Sequence, residues 1–146
     1  MGISIRLLRS TEPHSALLKY LQKKCLPYDT PHDTDKGWWW IAYDDDKPVG
    51  FAGLVRSASW ADCGYLCRAG VLPNYRGKGI QKRLIDLRIR KARRVGYRWV
   101  ISDTRDNHAS ANSLIARGFR MFSPTKPWGF SDTLYWRLKL DAVQGP

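Results

Sequence analysis

Two glycines, Gly77 and Gly79, flank one residue in "NYRGKGIQKRL", with Arg76, Lys78, Lys82 and Arg83 around them. An apolar stretch ending at Pro73 comes before this turn, and a helical pattern follows it. In that setting glycines let backbone N–H groups converge on an anion, with the positive end of a helix behind them. The chemistry on offer is phosphate binding. The spacing is not that of a P-loop, because Lys78 is followed by Gly79 rather than by Ser or Thr. Nor is it the dinucleotide fingerprint, since no third glycine stands three residues beyond Gly79. A tight turn that needs positive φ explains these glycines equally well.

Other chemistry-bearing residues are sparser. His14, His32 and His108 are scattered, and Cys63 and Cys67 are four apart with no second cluster at zinc spacing. No metal site is expected. Three cysteines, an odd number without a dense framework, are read as free thiols in a reducing compartment. Eight Lys or Arg lie between Lys82 and Arg98 against one acid, Asp86, and the chain carries a net charge of +12. Such a charge favours nucleic acid, acidic membrane surfaces or phosphorylated ligands without choosing among them. The "WWW" at 38–40 has the composition of a base-stacking platform. Alternation puts Trp38 and Trp40 on one strand face and Trp39 on the other, which reads instead as burial on both faces.

The elements that must position these residues follow from periodicity. Residues 4–9 read as a first strand, followed by a helix over "STEPHSALLKYLQKKC" with Ser10 or Thr11 as its cap and a stripe of Leu17, Leu18 and Leu21. Residues 26–37 form a loop. "WWWIAYDDDKPVGFAGLVRS" reads as a hairpin around a turn cluster. Residues 64–72 form one further strand. The helix over residues 79–94 buries Ile80, Leu84, Leu87 and Ile85, Ile89, Ala92, so its basic residues include a solvated face. "YRWVISDT" is a strand. "DNHASANSLIARGF" is a helix begun by Asp106 or Asn107 and ended by Gly118. "FRMFS" and "TLYWRLKL" are the last strands. The strand–helix–strand order in the middle demands parallel neighbours, while the ends read as antiparallel. The expectation is one mixed α/β domain over residues 1–146.

Two stretches carry a family resemblance. "AGVLPNYRGKGIQKRLI" resembles the central motif of the GNAT superfamily of N-acetyltransferases, where a strand ending Val-x-Pro leads into (Gln/Arg)-x-x-Gly-x-(Gly/Ala) and a helix. The matching positions are Val71, Pro73, Arg76 and Gly79, while Gln81 departs from the usual Gly or Ala. "NHASANSLIARGF" is similar to the segment that ends these domains, through Asn107, Ser110 and the pair Gly118 and Phe119. The resemblance implies a mostly antiparallel sheet flanked by helices, with a central parallel strand pair splayed for acetyl-CoA. It places the pyrophosphate on Arg76, Gly77, Lys78, Gly79, Ile80, Gln81 and Lys82. It places the pantetheine arm along Ala69, Gly70 and Val71, and turns Asn107 toward the cofactor.

The reaction so implied is attack of a neutral primary amine, on a small molecule or a protein, on the thioester carbonyl. An amine with a pKa of about 10.4 needs a base or a tuned site. Asp62 and Asp103 lie near the ends of the central strands, and Asp103 is the candidate base. It shares a face with Trp99 and Ile101, whereas Ser102 points the other way. Relatives often carry glutamate near the position of Ser102, so water can relay the proton. The tyrosine that relatives place four residues before the Gly-Phe pair is Leu114 here. Tyr65 and Tyr135 are substitutes as the acid, with Tyr135 the candidate. Asp29, Asp33 and Asp35 fall in a loop that lines the acceptor site in this family, where acidic residues suit a cationic amine.

Two rival functions stand beside this one: a basic nucleic-acid-binding module whose glycine turn is only structural, and a degenerate acyl-CoA-binding relative without catalysis. With 43% hydrophobic and 26% charged residues and no signal-peptide layout, the chain is expected to be cytoplasmic, away from membranes, and a monomer or homodimer.

Overall fold

Period-2 apolar stretches become strands and 3.6-period stripes become helices in the computed structural model, which describes residues 2–9, 12–29 and 32–141. β1 (Ile3–Leu7) leads through a 3-10 turn (Glu12–His14) into α1 (Ser15–Cys25). The expected Ser10 or Thr11 cap lies outside the described residues. The hairpin is β2 (Trp38–Asp44) and β3 (Lys47–Arg56), turning at Asp45 with φ +53°. Then come β4 (Cys63–Tyr65), β5 (Ala69–Val71), α2 (Ile80–Val95), β6 (Trp99–Thr104), α3 (His108–Ala116), β7 (Arg120–Phe122) and β8 (Leu134–Lys139).

They build one eight-stranded sheet in the order β1-β2-β3-β4-β6-β8-β7, with β5 also on β3. Among the described residues only β4 and β6 pair in parallel; the other pairs are antiparallel. This is the expected mixed α/β architecture with a central parallel pair.

The sequence reading needs one correction. Residues 64–72 are not a single strand. β4 pairs with both β3 and β6, and Leu66 donates a last amide to Ile101 at 3.0 Å. Beyond that point the chain leaves β6, and β5 stays with β3 alone, Gly50 opposite Val71 and Ala52 opposite Ala69. Both halves keep β3 as a partner, so both stay apolar, and the break does not register as a change in composition.

α1 packs Leu18, Leu21 and Cys25 against Trp39, Ile41 and Phe51 on one face of the sheet. α2 covers the other face, with Ile80, Leu84, Ile85, Ile89 and Ala92 against Trp40, Ala52, Leu54, Val100 and Trp136; Leu87 is only partly buried. Trp38 joins the α2 side with Trp40, and Trp39 lies on the α1 side. The three tryptophans are therefore packing on two faces. Burial of one leucine side chain stabilises by about 1.5–3 kcal/mol.

α3 starts at Asn107, whose side chain accepts the Ser110 amide, and ends in bonds from Gly118 and Phe119 back to Ile115 and Leu114. Arg117 grips Asp86 with two nitrogens and ties α3 to α2. Among the described residues no helix is long and apolar enough to cross a membrane.

Leu18→Ala, at a fully buried position, is expected to lower unfolding free energy by about 2–5 kcal/mol. Asp86→Asn, at a half-exposed ion pair, is expected to lower it by about 1 kcal/mol or less. Denaturant titration of both variants checks this ranking.

Candidate active site

The glycine turn lies at the mouth of a cleft. Gly77 and Gly79 both take positive φ, +76° and +83°, and a Cβ on either would meet no atom within 4 Å. Glycine is required here for backbone conformation and not for space. No side chain caps α2 and no acid sits in its first turn. The first amides of the helix thus have no partner within the helix and point outward.

A cavity of about 450 Å³ opens beside them. Its walls are β5, the turn with the start of α2, and the start of α3 through Asn107, Ser110 and Ser113; Cys25 and Leu26 close one side. Leu72 donates to Val49 and Gly53 donates to Arg68, so the alternation of an antiparallel pair turns the peptide groups of Ala69 and Val71 away from β3, toward the cavity. The Val71 carbonyl accepts Arg76 Nε at 3.1 Å. At Gly70 the requirement is space: a Cβ there would stand 2.4 Å from Cys25 Cβ, so α1 passes directly behind the strand. Burial pushes the Cys25 thiol up to about 11, which keeps it protonated and unreactive.

A second cavity of about 650 Å³ shares Leu26, Ala69, Gln81, Asn107 and Ser110 with the first. It runs through the sheet where the strands part. On the α2 side it meets Leu66, Ile85, Arg88, Ser102 and Leu114; on the opposite side it meets Tyr65, Cys67, Asp103, Trp128 and Phe130. Asp103 Oδ2 accepts two hydrogen bonds, from Tyr65 Oη at 2.5 Å and from Trp128 Nε1 at 2.8 Å. Neither engages Oδ1, which keeps its lone pairs. Burial, and then the charge and hydrogen bond of Asp103, push the Tyr65 hydroxyl far up, so Tyr65 is a fixed donor. Trp128 stands edge-on to Tyr65 and to Tyr135, with ring centroids 6.2 and 4.6 Å apart. At the rim Arg68 pairs with Asp29 at 3.1 Å, and Arg105 with Asp132 at 2.8 Å.

Arg88 reaches this cavity from α2 with 3% of its surface exposed. Nε donates to Leu84 O and Nη1 to Gly53 O, each at 3.2 Å. Burial pulls its guanidinium down to about 10, so it stays charged at neutral pH.

The structure brings Ala69, Gly70, Val71, Arg76, Gly77, Gly79, Ile80, Gln81, Lys82 and Asn107 together around the first cavity. Lys78 stands apart, with its Nζ 5.5 Å from the centre of the Tyr75 ring. Asp103 lines the second cavity, but Tyr135 does not: it packs behind Trp128 and accepts the Gly129 amide at 2.8 Å. Tyr65 takes the place beside Asp103. Of the acidic loop, Asp29 reaches the cavity, while Asp33 accepts the Asp35 amide. Asp62 is a turn residue with φ +52° whose carbonyl takes the Arg98 amide. Two site residues escape the sequence reading. Trp128 lies in a connection with no periodicity. Arg88 was hidden among basic neighbours, yet it stands four residues after Leu84 and three after Ile85, on the buried stripe.

Comparisons with known proteins agree with this geometry. No curated protein matches the chain. Among solved structures, the ribosomal-protein-S18-alanine N-acetyltransferase of Escherichia coli superposes with a TM-score of 0.73 at 16% identity, covering 99% of this chain and 97% of its own. The yncA protein of Salmonella typhimurium, solved with its cofactor acetyl-CoA, gives 0.75 at 19% identity, covering 100% and 98%. A Bacillus subtilis acetyltransferase in complex with CoA gives 0.73 at 19%, covering 95% and 99%. At these identities the likeness is one of fold. The model of the acetyltransferase (GNAT) family matches residues 5–119, and with the open strand pair and its glycine turn in place, the chain belongs to the GNAT acetyltransferase family.

Proposed function

We propose that the protein transfers the acetyl group of acetyl-CoA to a primary amine by direct attack on the thioester. One observation carries this reading: the cavity at the glycine turn shares Leu26, Ala69, Gln81, Asn107 and Ser110 with the cavity that Asp103 lines. In this reading an anion site and a proton acceptor lie in adjoining cavities. The CoA and acetyl-CoA complexes of the structural relatives support the choice of cofactor.

In this reading the outward amides of Ile80, Gln81 and Lys82 take the pyrophosphate, with Lys82 adding charge. The peptide edge of Ala69 and Val71 pairs with the pantetheine arm, which displaces Arg76 from the Val71 carbonyl. Gln81 lines both cavities and leaves the helix amides reachable. Lys78 becomes an outer contact only. Asp103 Oδ1 accepts the amine proton, while Tyr65 and Trp128 hold Oδ2 and fix the carboxylate. Tyr135 braces Trp128 instead of serving as the acid. Asp29 and Asp103 at the acceptor side suit a cationic amine.

Acetyl-CoA at about 100 times its Kd is expected to stabilise the protein by about 2.7 kcal/mol, seen as a rise in Tm. Gly79→Val, which strains a φ of +83°, should remove that rise. No stabilisation by acetyl-CoA, together with salt-sensitive binding of DNA or RNA, would replace this reading with the nucleic-acid one. Asp103→Asn is expected to lower kcat about 10²–10⁴-fold while leaving acetyl-CoA binding within about twofold. An unchanged kcat on an accepted amine would remove Asp103 from the mechanism.

A further inference from the structure

We propose that Arg88 takes up the negative charge of the departing thiolate, an inference that rests on the acetyl-CoA reading above. The guanidinium is nearly sealed from solvent at 3% exposure, yet among the described residues the ion pairs engage Arg68, Arg105 and Arg117 and leave Arg88 without a carboxylate. Nε and Nη1 each have a carbonyl partner, and Nη2 has none. Every fully buried polar side-chain atom among the described residues is hydrogen-bonded, so the unpartnered Nη2 is not fully sealed, and Arg88 is one of the residues that line the cavity. A buried cation that is held by neutral acceptors and keeps a free donor toward a cleft is a receptor for an anion.

Its position selects the anion. Arg88 lies eight residues after Ile80, the first residue of α2, so it stands about 12 Å along the helix from the glycine turn. An arm that starts at those first amides and follows the edge of β5 ends near Leu66, which packs on the α2 side with Arg88's neighbours Leu84 and Ile85. Asp103 lies on the opposite face, beyond the gap between the strands. The cleft therefore carries a carboxylate on one side and a guanidinium on the other. Aminolysis of a thioester develops charge with the same polarity: positive on the attacking nitrogen, negative on the leaving sulfur.

No other side chain of the cleft is placed for that job. Tyr65 donates its hydrogen bond to Asp103, and the Ser102 hydroxyl donates to Leu66 O at 3.2 Å. Cys67 is held up at about 11 by burial. Arg68 is turned to Asp29, and α3 contributes Asn107, Ser110 and Leu114, none of them charged. In the step itself the amine nitrogen bonds to the carbonyl carbon and the C–S bond breaks, its electron pair passing to sulfur. The nitrogen proton goes to Asp103. Arg88 keeps all its protons and donates a hydrogen bond to the thiolate, which takes a proton from solvent on release.

The test needs no acceptor. The thiol of bound CoA is titrated by thiolate absorbance, as the difference with and without CoA, in the wild type, Arg88→Lys and Arg88→Met. In the wild type the bound thiol is expected to titrate about one pH unit or more below free CoA, a tenfold gain in thiolate. Arg88→Met should return it to the free value or higher, and Arg88→Lys should keep part of the shift. With an accepted amine, Arg88→Met should lower kcat about 100-fold with little change in KM for acetyl-CoA. A wild-type bound thiol that titrates at or above free CoA overturns the proposal, whatever the variants do. So does an unchanged titration in an Arg88→Met protein that folds and binds CoA. A wild type that binds no CoA at all overturns the acetyl-CoA reading itself.

Discussion

A sheet that splits has to satisfy the peptide groups on both sides of the split, and the architecture of this protein turns on how it does so. A buried carbonyl without a donor costs about 1–3 kcal/mol, more than the net gain from an ordinary hydrogen bond. Where β4 ends and β5 begins, side chains replace missing ladder bonds. Arg88 bonds Gly53 O, Ser102 bonds Leu66 O and Arg76 bonds Val71 O. The cleft is thus a region of sheet whose ladder bonds are made by side chains. The packing on both faces keeps those side chains in reach: α1 stands so close behind β5 that Gly70 has no room for a Cβ, and α2 carries Arg88 among its apolar neighbours.

The charge of the chain, +12, is distributed with the same economy. Much of α2 presents Lys and Arg to solvent, and only Arg88 turns inward. Beyond the cleft, aromatic rings gather on the outer strands. Trp60, Trp99 and Phe122 gather around the Arg137 guanidinium, 5.1–6.0 Å from its centre, and Phe122 meets Tyr135, which braces Trp128. A run of rings thus connects the outer strands to the side chain that holds Asp103. Stacked and edge-on rings of this kind add about 0.5–1.5 kcal/mol per pair beyond the area they bury.

The sequence makes some parts of this readable and conceals others. The glycine turn was legible because its constraint is local: a backbone that needs positive φ at two positions narrows the residue choice to glycine, whatever lies around it. The Asn107 cap and the tryptophan alternation were legible for the same reason, since each follows from its own segment. The break between β4 and β5 was not, because both pieces share β3 and the bend at residues 66–68 has no proline or turn dipeptide, its one charge, Arg68, passing for an outward strand residue. Tyr65 and Trp128 meet Asp103 from elements 38 and 25 residues away in sequence. No spacing rule reaches that far. Arg88 lay on an apolar stripe in plain view, but a basic neighbourhood made it look like surface.

Arg76 covers an edge that the sheet leaves open. Its Nε donates to the Val71 carbonyl, so that acceptor of the strand edge is already paired. Any molecule that pairs with this edge exchanges one hydrogen bond for another and gains only the difference. The same exchange protects the folded chain, since an edge whose acceptor is already taken offers less of a template to a stray strand.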